Sequence, residues 1–485
     1  MAGIRYKDIL KATSLFAGIN GLSILLQMCR TKLAALFLGS SGMGLNAIFN
    51  ETIELIHSTS NVGMDKCGVR EVSRAFGERE QEGGEERLRD AIMLTRSWVL
   101  LFALIGTLLC LVLAEPISRW TFENDEQTTN YMLLSPAVGL LTLTCGEYCV
   151  LRGIQRLRSV ALVSILQVVA SLVTTIPLYY FWGMKAVVLA ILLLSFSSFC
   201  ITASFSYRFY RPQFCFSQKY LKRGYSMLVI GIFFVLAGFL SHGSKLAVQA
   251  FLNREGSLDV VGLFKSGYSL VFVYCGMIFT ALDTDYFPRL SSIFSHREQL
   301  HKTVNRQIEV MMTLVLPIIL FMLFAMPALV PLLLSNKFMP VVPMAQIAVT
   351  GLLFRTVYLP ASFMPLAGGD SRTYLVIQAI SYLFFIPPII IGYNWMGLTG
   401  TGLGLLVSCL VDLAIGIGVA RIRYHIHVAR RILYRLVAYA IAIGLAFASV
   451  EWLSGWAYWA VGGTMLLCSC IHCWQQLRGQ IRQDA

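Results

Sequence analysis

The chain has 485 residues, 56% of them apolar and only 13% charged, with a mean hydropathy of +0.68 and a formal net charge of +13. This composition excludes a soluble globular protein, and the length excludes a single small bundle, which leaves a polytopic membrane protein. The basic residues are spread over many short segments instead of forming one patch, so nucleic-acid binding is excluded as well.

A bilayer core needs about 20 apolar residues per helix. Fourteen such runs follow one another, at 12–38, 43–64, 91–114, 131–151, 160–180, 186–206, 225–251, 260–282, 308–330, 341–366, 374–392, 398–420, 434–453 and 456–473. The expected fold class is an all-α polytopic membrane protein of about 14 transmembrane helices. The first run lacks a small-residue cleavage site before polar sequence, so it reads as a true first helix. Alternate connections hold 29 Lys and Arg on one side of the membrane, against only Arg119, Lys185, Arg254 and Lys337 on the other. Positive residues resist translocation, which sets both termini in the cytoplasm. The outer loops are short and offer no extramembrane domain for catalysis.

The first run places Asn20, Ser23, Gln27 and Arg30 on one helical face, with Lys32 close by. In the second, Asn46, Asn50, Glu54, His57 and Asn61 fall within about 80° of one another. A charge at the bilayer centre costs at least about 2.5–3.5 kcal/mol, so this stripe must meet water, a partner helix or a substrate. Arg96 and Glu147 stand at similar depth in the third and fourth runs and are expected to form a buried structural pair. The seventh run carries His242, Lys245 and Gln249 on one face. Lys265 in the eighth run, Arg355 near the middle of the tenth and Asp412 in the twelfth complete the set.

For the cations Arg30, Lys32, Lys245, Lys265 and Arg355 two readings stand side by side, a cavity for an anionic cargo and snorkelling to the headgroups. Asp412 is read as a coupling-ion site or a helix contact, while Asn50, Glu54 and His57 are read as lining the cavity. Pro317, Pro327, Pro360, Pro365 and the Pro387–Pro388 pair are expected to break the ninth to eleventh helices, as hinges or as static kinks. The cluster at Cys468, Cys470, His472 and Cys473 has no second ligand pair, so packing is expected there and not a metal. No Walker-type loop, catalytic triad or metal set is present, so no enzyme activity and no cofactor are expected.

An internal repeat organises the chain. Lys32-Leu-Ala recurs as Lys245-Leu-Ala, Trp182 as Trp395, and LLLS at 192–195 as LLVS at 405–408, each 213 residues apart. GIQR at 153–156 pairs with GDSR at 369–372 at an offset of 216. The expected organisation is an N-lobe of residues 1–213, a C-lobe of 214–427 and two further helices in 428–485. Six helices per half is an even number, so the halves form a parallel repeat with a cavity between the lobes.

With its basic residues at the end of helix 1, its RGIQR turn after helix 4 and its two six-helix halves, the chain resembles the polysaccharide-transporter branch of the MOP flippase superfamily, the Wzx-type O-antigen translocases. The resemblance covers nearly the whole chain. It implies transfer of an undecaprenyl-pyrophosphate-linked oligosaccharide from the cytoplasmic to the outer leaflet of the bacterial inner membrane by alternating access. It also implies a pyrophosphate-binding role for Arg30, Lys32, Lys245, Lys265 and Arg355. As partners it implies the lipid-linked oligosaccharide, the bilayer and the polysaccharide polymerase machinery, with no nucleic acid. Many Wzx-type members have twelve helices, and fourteen is similar to the lipid II flippase. Coupling to H+ or Na+ through Glu54, His57 or Asp412 stays open beside drive by the membrane potential. A MATE-type multidrug antiporter is the rival transporter; a membrane polymerase or ligase would need a large outer loop.

Overall fold

A computed structural model describes residues 6–484, apart from the side chains at positions 6–22, 218–230, 280, 281, 283–285, 477 and 479–484. Asn20 therefore lies outside the described side chains. Among the described residues the secondary structure is helical, with no strand. The helices are α1 (Tyr6–Ser60), α2 (Met64–Gly77), α3 (Gly84–Phe122), α4 (Thr128–Gly153), α5 (Leu157–Trp182), α6 (Val187–Tyr207), α7 (Gln218–Glu255), α8 (Leu258–Tyr268), α9 (Met277–Ile293), α10 (Arg297–Leu333), α11 (Val341–Thr350), α12 (Leu352–Ala367), α13 (Ser371–Leu383), α14 (Ile386–Ile422), α15 (Arg430–Trp452) and α16 (Gly455–Asp484).

Among the described residues nine continuous stretches are long and apolar enough to cross a membrane, and the pair α11 and α12, bent by 48°, makes a tenth. Three of the nine, Ser23–Ser60, Leu157–Tyr207 and Ser371–Ile422, with 38, 51 and 52 residues, contain an internal break. At 1.5 Å per residue the longer two would reach about 75 Å, more than twice the hydrocarbon thickness. Each is interrupted once by a glycine outside the helical region. Gly39 has φ 66° and ψ −170°, Gly183 has φ 55° and ψ −131°, and Gly397 has φ 60° and ψ −140°. A Cβ is disfavoured at such angles, so glycine is what lets apolar sequence turn back without a polar loop. With these three breaks counted and α16 added, the fourteen expected spans are accounted for.

The repeat is visible in the backbone. The breaks at Gly183 and Gly397 lie 214 residues apart, and so do the positive-φ residues Gln155 (φ 56°) and Gly369 (φ 73°) that follow α4 and α12. After the second of these turns Asp370 caps α13, accepting from the Thr373 amide at 3.1 Å and its hydroxyl at 2.6 Å. Those bonds, with Arg423 behind them, hold the Asp370 carboxyl below the usual carboxylate range.

The prolines behave differently from the expectation. α10 runs unbroken through Pro317, Pro327 and Pro331, and the bend in the tenth span falls at Gly351, not at Pro360 or Pro365. Pro387 and Pro388 sit in the first turn of α14, where the missing N–H has no partner to lose. The charged connection 65–90 also holds a helix, α2, which buries Met64, Cys67, Val72 and Ala75 along one stripe. Hydropathy alone overlooks such a helix because its other face is solvated.

The chain divides into two compact units, Met1–Gly262 and Leu263–Ala485. Compactness reports packing and not ancestry, so α7 belongs with the first unit, where it lies against α1, α2 and α3. In this unit Leu45, Phe49, Ile53 and Ile56 of α1 pack on Tyr131, Leu134 and Val138 of α4, with Phe49 edge-on to Tyr131 at 5.2 Å. In the second unit α10 is the hub, contacted by α11, α12, α15 and α16. Tyr458 of α16 donates to the Phe324 carbonyl at 2.7 Å.

The turn-back within α14 depends on close backbone approach. A Cβ built at Gly400 would stand 1.8 Å from the Gly392 carbonyl oxygen, the small-residue packing that holds helices together in lipid. Gly400→Leu is expected to pry the two halves apart and destabilise the second unit by about 1–3 kcal/mol. Thermal unfolding in detergent should show a lowered Tm; an unchanged Tm would mean that the contact carries no stability.

Candidate functional site

The inner helices of each unit place charged groups where hydrocarbon would not tolerate them alone. In the first unit the best-satisfied is Arg96 on α3, 3% exposed beside Glu147 at 5%. Arg96 Nε donates to Glu147 Oε1 at 3.0 Å and Nη2 to Oε2 at 2.7 Å. Nη1 donates to the carbonyls of Tyr210 and Arg211, at 3.1 and 2.9 Å, and Nη2 also reaches the Ser206 hydroxyl. Every nitrogen of this guanidinium is engaged. It is the buried structural pair expected from the sequence, and it also ties the connection after α6 to α3.

A second cluster joins α1 to α7. Glu51 is 6% exposed; its Oε1 lies 2.8 Å from His242 Nδ1 and 3.9 Å from Lys245 Nζ. The polar stripe read from the sequence runs through Glu54, one turn along the helix. The structure leaves Glu54 half-buried and turns the neighbouring Glu51 toward α7. Glu51 is thus the residue that helical periodicity passed over, because its partners lie about 190 positions away. The stripe itself divides. Asn50 is exposed and its amide bonds the Asn46 carbonyl and side chain at 2.7 and 2.9 Å. Lower down, His57 meets the Thr142 hydroxyl at 2.9 Å and Asn61 meets Cys145 Sγ at 3.6 Å, both on α4. Arg30, half-buried on α1, lies within electrostatic reach of the buried Tyr179 on α5. Lys32 is half-buried two positions on.

The second unit holds Lys265 on α8, Arg355 on α12 and Asp412 on α14, all half-buried. The structure brings Arg355 and Asp412 together. The guanidinium lies over the Phe272 ring at 5.4 Å and within electrostatic reach of Asp412, Tyr268 and Tyr358. Ser381, which also neighbours Asp412, has its hydroxyl 3.1 Å from that of Tyr358. Among the described residues Arg355 Nε is buried with no hydrogen-bond partner. A guanidinium N–H left open in a buried place is equipped to take an additional acceptor. At the far end of the unit, His472 of the cysteine-rich stretch bonds the Tyr439 hydroxyl at 2.8 Å, which is a packing role.

Fourteen spans, a repeated backbone pattern and charges held inside the helices define a polytopic helical membrane bundle. The fold is similar to that of a multidrug resistance MATE family transporter in an inward-facing conformation, with a TM-score of 0.69 at 14% identity, over 86% of this chain and 95% of that one. It is equally similar to the lipid II flippase MurJ in an inward closed conformation, again 0.69 and 14%, over 96% and 99% of the two chains. A MOP superfamily transporter from Pyrococcus furiosus aligns at 0.60 and 14%, over 84% and 93%. No curated protein matches the sequence. The model of a family described as polysaccharide biosynthesis protein matches residues 86–343, just over half of the chain. The chain belongs to that family, a polysaccharide branch of the MOP fold.

The Arg96–Glu147 pair permits a direct test of buried-charge energetics. Glu147→Gln leaves an uncompensated guanidinium in the interior and should destabilise the first unit by about 3–5 kcal/mol. Replacing both partners, Arg96→Met with Glu147→Leu, should recover a large part of that loss in a double-mutant cycle whose single variants are Arg96→Met and Glu147→Leu, read by thermal unfolding. If the losses of the two single variants simply add, the pair contributes no coupling.

Proposed function

We propose that the protein is a flippase that moves an undecaprenyl-pyrophosphate-linked oligosaccharide, an O-antigen repeat unit or a similar glycan, from the cytoplasmic to the outer leaflet by alternating access. On this reading it sits in the bacterial inner membrane with both termini cytoplasmic. Residues 1–213 and 214–427 are the duplicated lobes, and 428–485 is an addition. The observation that carries the reading is the set of cations kept on inner membrane helices, Arg30, Lys245 and Arg355, in a chain of the polysaccharide biosynthesis family. A fold shared with both a multidrug transporter and a lipid II flippase leaves the cargo open. The charges support an anionic cargo.

The open Nε of Arg355 supports a phosphoryl-binding role, because guanidinium groups bind phosphate oxygens in pairs. Lys245, 3.9 Å from Glu51, is attracted to that carboxylate without being locked to it, so an anionic cargo can compete for it. Arg30, Lys32 and Lys265 complete the pyrophosphate site, with Asn50, Glu54 and His57 along the path of the sugar. A glycan cannot cross hydrocarbon unaided, whereas its lipid tail can remain outside the protein. Two negative charges moving outward against an inside-negative potential gain about 4.6 kcal/mol per 100 mV. The potential therefore supplies direction without a nucleotide, with H+ or Na+ exchange at Asp412, Glu54 or His57 as the alternative drive.

Expression in a bacterium lacking its own O-unit flippase, together with the cognate repeat unit, tests the proposal. Wild type should restore surface polysaccharide, and Arg30→Ala, Lys245→Ala and Arg355→Ala should each reduce it about tenfold or more at matched membrane levels. Full activity of all three variants would remove the cationic site while keeping the transporter. No rescue by well-expressed wild type would remove the flippase reading.

A further inference from the structure

Residues 208–217, which connect α6 to α7, cross the charged end of α3 and enclose with it a hollow of about 230 Å³. Arg89 and Arg96, two turns apart, face it from α3; Phe209, Tyr210, Arg211 and Gln213 face it from the connection. Among the described residues no carboxylate lines this hollow. Arg96 forms its back wall and has no donor to spare, since Glu147, Ser206 and the carbonyls of Tyr210 and Arg211 take all of its nitrogens. Its work is to hold the connection in place, assisted by the Cys215 amide, which donates to the Ser97 hydroxyl at 2.9 Å.

The other two guanidiniums are available. Arg89 is 66% exposed and stands 3.6 Å from Glu85, too loose for a fixed pair. Arg211 is exposed, and its ordered part is the backbone carbonyl that Arg96 holds. Glu147 is already matched to Arg96, and the Tyr210 hydroxyl approaches Glu85 at 3.4 Å. Arg79, also within reach of Tyr210, has Glu80 3.8 Å away, so the positive charge offered to the hollow is that of its own lining residues Arg89 and Arg211. Phe209 adds an apolar side. A pocket with converging guanidiniums, an amide and one greasy wall matches a phosphate ester better than a bare inorganic cation or a neutral sugar.

We propose that this hollow is a phosphoryl-binding site, held between Arg89 and Arg211, that takes the phosphodiester of an anionic glycerophospholipid or a free phosphate, and that its occupancy fastens the α6–α7 connection to α3. The site shares no residue with Arg30, Lys245 and Arg355, and the inference does not depend on the transport reading.

The test uses the full chain, purified in detergent and stripped of lipid, with unfolding followed by tryptophan fluorescence during titration with phosphatidylglycerol, phosphatidylcholine or inorganic phosphate. Phosphatidylglycerol should raise the Tm of wild type and phosphatidylcholine should not. In the Arg89→Ala/Arg211→Ala variant, which removes only exposed side chains, the concentration needed should rise about tenfold or more. Stabilisation by inorganic phosphate that the variant also loses would support the site and identify a soluble phosphoryl ligand; stabilisation by phosphatidylglycerol alone would support it and identify a lipid. Equal responses to the two lipids, or a variant that responds as wild type does, would overturn the proposal.

Discussion

Hydrocarbon does not solvate charge, and every ionised side chain inside this protein has to be neutralised or hydrated by something the fold supplies. The structure meets that demand to different degrees, and the degree distinguishes scaffolding from sites. Arg96 is at one extreme, with a bidentate carboxylate, two carbonyls and a hydroxyl around it. Such a group has nothing left to offer a ligand. Lys245 is intermediate, drawn toward Glu51 at 3.9 Å while His242 takes the close position at 2.8 Å. Arg355 is at the other extreme, stacked over Phe272 with its Nε unpartnered among the described residues. Ranking the cations by what remains open is a physical criterion that charge alone does not give.

The same demand shapes the backbone. Peptide groups in the bilayer must bond within their own helix, so a chain that crosses and recrosses needs turns that expose few of them. Gly39, Gly183 and Gly397 provide such turns within one to four residues. Two of them are related by the same 214-residue interval as the turns at Gln155 and Gly369. The repeat therefore survives most clearly in backbone angles, even where Gln155 stands at the position of Gly369, and only faintly in the letters, where many apolar residues serve equally well.

This explains which parts were legible in the sequence. The spans were, because twenty apolar residues leave few alternatives, and even the limits at 38, 180 and 392 fall close to the glycine breaks. The pair Arg96–Glu147 was legible because each charge was alone at matching depth. Glu51 was not, since helical periodicity groups residues along one face and says nothing about a partner on α7. α2 was hidden by its own charges, which make an interfacial helix read as a loop. The prolines of α10 misled in the opposite way. A membrane helix keeps its course around a missing N–H when neighbours pack on all sides, and α10 is the most surrounded helix of its unit.

At 14% identity, what this chain shares with a multidrug transporter and with a lipid II flippase is the path of the backbone. A path shared by carriers of different cargo contains no information about cargo. The selection has to be made by side chains that point inward and are incompletely satisfied, because a saturated group contributes equally with or without a ligand, whereas an open donor gains a bond only when one arrives. Arg355 beside Asp412 illustrates the balance. The carboxylate makes the buried guanidinium tolerable in the absence of a ligand, and the unused Nε keeps the site incomplete. Removing the acid would make the cation costly to bury; satisfying Nε internally would leave no bond to gain. On the reading proposed above, an anion at this place would meet both conditions at once, with Arg355, Phe272 and Asp412 contributed by three separate spans.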